Sequence, residues 1–188
     1  MLEEIKELVY QACHNEKNPF GPHAWDTHIL PVVNYAKIMA KKLDADEEVV
    51  EIAAYLHDYA NIIKIGNEKD HHVKGAELAV QILSQYNYPE AKKKLVYDAI
   101  YSHRAKVLIE KKTKEEVCVA SADAMAHIDQ TVALLYRVYS RDQMELKEGA
   151  KYVLEKLKRT WRKMDPLAQQ IMKEKYESAI MVLNAVIN

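Results

Sequence analysis

The sequence predicts an all-α single domain, a bundle of roughly seven or eight helices. Three observations carry that expectation. The 188 residues include only 4 glycines and 5 prolines, while Ala, Leu, Glu, Lys, Met and Gln are plentiful, so helix formers dominate and tight turns are few. Apolar residues recur three and four positions apart in segment after segment, the spacing of a buried helical stripe. The gaps between segments carry helix-start signals, such as Thr113-x-x-Glu116 and Asp165-Pro166.

Leu2, Ile5, Leu8, Val9 and Ala12 form the first stripe, which stops at the rigid turn Asn18-Pro19-Phe20-Gly21-Pro22. The second helix is expected to begin near Asp26 or Thr27, either of which could cap it, and to reach about Leu43. Pro31 lies close to its start, where a missing N–H costs least. Asp44-Ala45-Asp46 ends that helix and caps the next, in which Val49, Ile52, Ala53, Leu56 and Ala60 continue one stripe. The short connection makes the two antiparallel neighbours. Residues 62–70 read as a loop, with Asp70 placed to cap a helix that opens at His71-His72 and runs to about Tyr86. Pro89 starts a helix that reaches His103. The capping box at Thr113 opens a long helix from about Lys114 to Tyr139, and two more follow, Gln143 to Met164 and Asp165 to Val186.

The chemistry-bearing residues sit at the ends of these helices. His57 and Asp58 lie beside an apolar stripe, where an uncompensated carboxylate is costly unless a cation or donors meet it. A divalent metal is one such cation, and a His-Asp pair suits Zn, Fe, Mn or Co. An adjacent His-Asp pair at a helix end is also a common surface turn. The antiparallel arrangement, however, brings His28 beside His57 and Asp58. Asp123 falls in the small-residue run Val117–His127 with no Lys or Arg three or four positions away, so a metal or a histidine from another helix is its natural partner. His127, one turn on, reads equally as a solvated residue or as a group supporting that partner. The basic stretch Lys156, Lys158, Arg159, Arg162 and Lys163, with Trp161 among them, could bind RNA, but a solvated face offset by Glu145, Glu148 and Glu155 is the favoured reading.

Composition narrows the function classes. A formal charge of -1 gives no global reason to expect nucleic acid or an anionic membrane. Cys13 and Cys118 form no CxxC, which points to free thiols and a reducing compartment. The amphipathic, acidic start is not a signal sequence, and no apolar run approaches a membrane span, so a cytoplasmic location is expected.

Taken together, His28, His57-Asp58 and Asp123 make the ordered set H…HD…D, on separate predicted helices. With Asp26-x-His28-Ile29-x-x-Val32-x-x-x-Ala36, Ala53-Ala54-Tyr55-Leu56-His57-Asp58 and Ala120-x-Ala122-Asp123-Ala124, the sequence resembles the HD-domain superfamily of metal-dependent phosphohydrolases. The resemblance covers about residues 25–133. It leaves both ends outside; the length makes residues 1–188 one domain, an HD core with a C-terminal helical extension over about 142–188.

The resemblance implies that His28, His57, Asp58 and Asp123 ligate one divalent ion, with Asp58 central to catalysis. It further implies that His71 (or His72) and His103 add a second ion bridged by Asp58. Mn, Fe, Co, Ni, Zn or Mg would all suit such ligands. Tyr59-Ala60-Asn61 after the pair, and the lack of a downstream Gly-Tyr-Pro signature, depart from the guanosine tetraphosphate hydrolases and the cyclic-di-GMP phosphodiesterases, so neither substrate is inherited.

The activity implied is a phosphomonoesterase or phosphodiesterase acting on a small phosphorylated compound, a nucleotide by preference. A metal-bound hydroxide would attack phosphorus in line. Lys74, Arg104 and Lys106 are the nearest candidates for phosphate binding. The alternatives are a di-iron oxygenase on the same six ligands and a regulatory module with a structural metal. The expected partner is the small substrate, with neither membrane nor nucleic acid, and the C-terminal helices suit a lid or a homodimer contact.

Overall fold

The computed structural model describes residues 1–66, 70–104 and 109–188. Among the described residues the chain is built of helices and contains no strand. The long ones are α1 (Leu2–His14), α2 (Leu30–Leu43), α3 (Glu47–Leu56), α5 (His71–Ser84), α6 (Glu90–Ser102), α7 (Lys114–Asp129), α9 (Leu146–Lys163) and α10 (Pro166–Ile187). Two short segments, α4 (Tyr59–Ile62) and α8 (Thr131–Tyr136), and two π-helical turns, Trp25–Ile29 and Arg137–Arg141, complete the set. The expected all-α bundle is therefore the observed one.

The central helix is α7. Ala120, Ala122, Ala124 and Ala126 are buried along it, and these small side chains let α2, α3, α6, α9 and α10 all approach its axis. Its start is fixed twice. The Thr113 hydroxyl accepts from the Glu116 N–H (3.2 Å), and the buried Glu115 carboxylate accepts from the Asp46 N–H (3.0 Å). Asp46 itself caps α3 by accepting from the Val49 N–H at 3.1 Å, so one residue ties the starts of α3 and α7 together. Asp44 closes α2 with φ at 53°, the left-handed conformation that an Asp tolerates in a short reversal.

Several boundaries differ from the expectation, and each difference lies near the same end of the bundle. Asp26 and Thr27 fall inside the π-helical turn and cap nothing, the Thr27 hydroxyl donating instead to the His23 carbonyl. The stripe through Ala60 is interrupted, since α3 stops at Leu56 and α4 restarts at Tyr59. The long helix expected to Tyr139 breaks at Gln130, beyond which α8 carries no buried residue. Apolar periodicity persists through all three breaks, so periodicity alone did not reveal them. No described helix is long and apolar enough to cross a membrane. Cys13 and Cys118 are buried free thiols, and burial pushes both up to about 12.

Candidate metal centre

The interruptions aim the polar residues. His57 directly follows the last residue of α3 and Asp58 sits between helices at φ −110°, ψ 7°, a bridging conformation common at functional sites. The final carbonyls of a helix lack intrahelical partners, and two histidines use them. The His57 Nδ1–H donates to the Ala54 carbonyl (2.7 Å) at the end of α3, and the His103 Nδ1–H donates to the Ile100 carbonyl (2.5 Å) at the end of α6. Both rings are thereby fixed in the tautomer that leaves Nε2 as a bare lone pair directed at Asp58. His28 comes from the π-helical turn ahead of α2, His71 from the first turn of α5, and Asp123 and His127 from successive turns of α7.

The two Asp58 oxygens face different partners. Oδ2 lies 3.3 Å from His28 Nε2 and 3.6 Å from His57 Nε2. Oδ1 lies 3.6 Å from His71 Nε2 and 3.9 Å from His103 Nε2. His28 Nε2 is also 3.1 Å from His57 Nε2 and 3.7 Å from Asp123 Oδ1. Three overlapping sets result, His28–His57–Asp58, Asp58–His71–His103 and His28–Asp123–His127, and within each set the ligand atoms lie within 4.8 Å of one another. Ligand bonds of about 2.0–2.2 Å give adjacent donor atoms separations of about 2.8–3.6 Å in octahedral or tetrahedral shells. The Asp58–imidazole edges, 3.3 to 3.9 Å, match that spacing or exceed it by a few tenths of an ångström. Bare nitrogens and carboxylate oxygens converging on common points fit divalent cations.

The electrostatics agree. Burial would raise the Asp58 carboxyl, but His57, His28 and His103 outweigh it and hold the group well below the usual carboxylate range. Asp123 is likewise raised by burial and held far lower by Lys163, then His127, His28 and His57. Burial pushes the imidazoles down, His103 to about 3 with His57 adding to the effect, and His57 and His127 in the same direction. Carboxylates held anionic beside His57, His103 and His127, whose charged forms burial disfavours, suit a cation, which needs ionised carboxylates and unprotonated ring nitrogens.

The structure thus brings His28, His57, Asp58, Asp123, His71 and His103 to one place. His72 is not among them. It packs against Tyr101 and His71, with Nδ1 buried and without a partner among the described residues. Lys74 points to the surface and pairs with Glu77 at 3.0 Å, whereas Arg104 lines the cavity described below and Lys106 lies outside the described residues.

The solvated-face reading of the basic stretch needs correction. Lys163, nearly buried, donates to Asp123 Oδ2 (2.5 Å) and to the His103 carbonyl (2.9 Å), while Lys156 and Arg159 line the cavity. Only part of the stretch, such as Lys158 paired with Glu155, faces solvent. Asp123 thus meets the interhelical histidine expected of it, His28, and also a lysine that was not expected, Lys163. His127 also belongs to the site, 3.3 Å from Asp123 Oδ1 and stacked on His28. The missed signal was periodic: Tyr152, Lys156, Arg159, Thr160 and Lys163 recur at i, i+4, i+7, i+8 and i+11, one face of α9.

A cavity of about 730 Å³ opens over the cluster, within the range that holds small ligands. Its floor includes His28, Asp58, His71, Asp123 and His127. Arg104, Arg137, Arg141, Lys156 and Arg159 contribute a cationic wall, and Phe20, His23 and Tyr136 a partly aromatic one. The Arg137 guanidinium lies 5.6 Å from the Phe20 ring centre, and burial pushes the Lys156 ammonium down to about 8 against the pull of Asp123.

Comparison with known proteins follows the same residues. The HD domain sequence profile matches residues 25–128. Over 122 residues, 65% of this chain, the sequence is 30% identical to ribonuclease Y of Sulfurimonas denitrificans, and the matched part spans 20% of that protein's length. No solved structure matches the chain.

Proposed function

Because the chain belongs to the HD-domain family, whose members are mostly metal-dependent hydrolases, we propose that it is a metal-dependent phosphohydrolase acting on a small phosphorylated compound, a nucleotide by preference. The observation that carries this reading is the division of the Asp58 carboxylate between two imidazole pairs at the floor of a cavity with a cationic wall. Each oxygen serves its own donor set, which suits two divalent ions sharing Asp58. His28, His57, Asp58 and Asp123 would hold one, and His71, His103 and Asp58 the other. Divalent ions supply Lewis acidity and lower the pKa of water near a phosphoryl group.

The chain's own residues do the rest. The Ala54 and Ile100 carbonyls keep His57 and His103 in the ligating tautomer. Lys163 holds Asp123 in place and offsets part of the carboxylate charge. The cationic wall favours a phosphate ester over a neutral substrate, which favours hydrolysis over the di-iron oxygenase. The aromatic side at Phe20, His23 and Tyr136 offers a surface against which a base could stack.

A second reading, cleavage of RNA, rests on one observation, the likeness to ribonuclease Y. It runs against the expectation that nucleic acid is not a partner, and a single assay compares the two. Phosphate release from mononucleotides and an aryl phosphate, and cleavage of a short RNA, are measured with each divalent ion. Mononucleotide turnover without RNA cleavage supports the first reading, and RNA cleavage alone the second. Iron-dependent oxygen uptake without either would replace both with the oxygenase, and no turnover in any assay would leave a binding module.

A further inference from the structure

The phosphohydrolase reading leaves open which residues receive the substrate's phosphate, and α9 answers from outside the segment that matches the family. Lys156 and Arg159 lie one turn apart, with Tyr152 a turn before and the buried Thr160 beside them, and all four line the cavity. Among the described residues no carboxylate lies within ion-pairing distance of Lys156 or Arg159, although Lys158, Lys163 and Lys175 all have such partners. A partly buried ammonium without a carboxylate partner is unfavourable, and an anion entering from solvent relieves it.

We propose that Lys156 and Arg159 form the phosphoryl subsite and select a terminal phosphate, a dianionic phosphomonoester, over the monoanionic diester of an internal nucleic-acid linkage. The pairing of charges on α9, beside Arg104, Arg137 and Arg141 on the rest of the wall, points to the class. A terminal phosphate carries between one and a half and about two negative charges at pH 7, a diester only one. Two cations on one helix face match the former. Arg159 offers a planar fork for two phosphoryl oxygens and Lys156 a point charge for the third. Substrate choice then resides in α9, whereas the cation ligands reside in the matched segment.

The test is calorimetric titration of the protein as purified with two adenosine probes. One is a 5′-phosphonate in which a methylene replaces the ester oxygen, a dianion that cannot be hydrolysed at that bond. The other is its monomethyl ester, with a single charge. The phosphonate is expected to bind about ten-fold or more tightly than the ester. Lys156→Gln and Arg159→Gln should each weaken the phosphonate by about ten-fold and the ester by less than about two-fold. Lys156→Arg should retain most of the affinity, and Lys158→Gln on the solvent side should change nothing. Equal affinity for the two probes, binding of neither, or variants that bind the phosphonate as the wild type does would each overturn the subsite. The outcomes separate the two readings. Metal-dependent phosphate release with unaffected variants removes the subsite and keeps the hydrolase, while a charge-selective, Lys156-dependent titration without turnover keeps the subsite and removes the hydrolase.

Discussion

Replacing Lys163 with Met tests whether the α9 stripe supports the cation site. The Lys163 Nζ and Asp123 Oδ2 atoms are 2.5 Å apart, and each side chain is only 9% exposed. Methionine fills similar volume but leaves a buried carboxylate short of its largest counter-charge and the His103 carbonyl without that donor. Breaking one side of a buried pair costs about 3–5 kcal/mol. For a chain of this size 1 kcal/mol moves Tm by about 2–4 °C, so Lys163→Met should lose about 6–20 °C in EDTA. A divalent ion ligated by Asp123 replaces part of the missing charge, so the deficit should shrink when metal is added in excess. Thermal unfolding followed by circular dichroism, with EDTA and with metal, reads both numbers. A deficit below about 2 °C in EDTA, or one of equal size under both conditions, would refute the reasoning.

The neighbouring groups give further expectations. His103 binds its proton at about 3 in the folded protein against 6.5 for a free imidazole, so the unfolded chain takes up protons first as pH falls. The associated stability is complete above pH 6.5 and is lost as pH drops toward 3, roughly 5 kcal/mol in total. His57 and His127 shift the same way, and Asp58 and Asp123 add losses that begin as pH falls through the ordinary carboxylate value and continue below it. Urea midpoints in EDTA should fall between pH 6.5 and 4.5, and a flat profile there would contradict the buried neutral imidazoles. A methyl group on Gly149 would lie 2.4 Å from the Tyr139 ring, whose hydroxyl donates to the Leu146 carbonyl, so Gly149→Ala should cost about 1–3 kcal/mol, read as a lowered Tm. An unchanged Tm would mean that the ring does not seat there. His72→Phe should leave metal content unchanged and His71→Phe should reduce it. Elemental analysis checks this pair, and the reverse pattern would exchange their roles.

How much of this was legible in the sequence depends on where the information lies. The stripes of α2, α3 and α6 and the caps at Asp46, Thr113 and Asp165 are local, and they set the bundle and the antiparallel pairing that brings His28 to His57. The helix end at His57–Asp58 was legible, but the restart at Tyr59 was not, because the apolar period continues across it, and the π-helical turn at Trp25–Ile29 was hidden by the same continuity. The choice between His71 and His72 depends on the rotation of α5 about its axis, which adjacent identical residues cannot reveal. Lys163 was not legible because its partner lies 40 residues away, and the glutamates near the basic stretch balance its charge in sum while its helical spacing gathers the cations on one face. Charged residues follow the same period as apolar ones, and here the cationic stripe of α9 is turned inward.

The central claim, a shared Asp58 carboxylate between two cation positions, is tested most directly by counting metal ions per chain in the wild type, Asp58→Ala and His71→Ala, each purified without added metal or chelator. The structure predicts two ions in the wild type, loss of one in His71→Ala and loss of both in Asp58→Ala, with helix content retained in all three. Full occupancy in Asp58→Ala would contradict it.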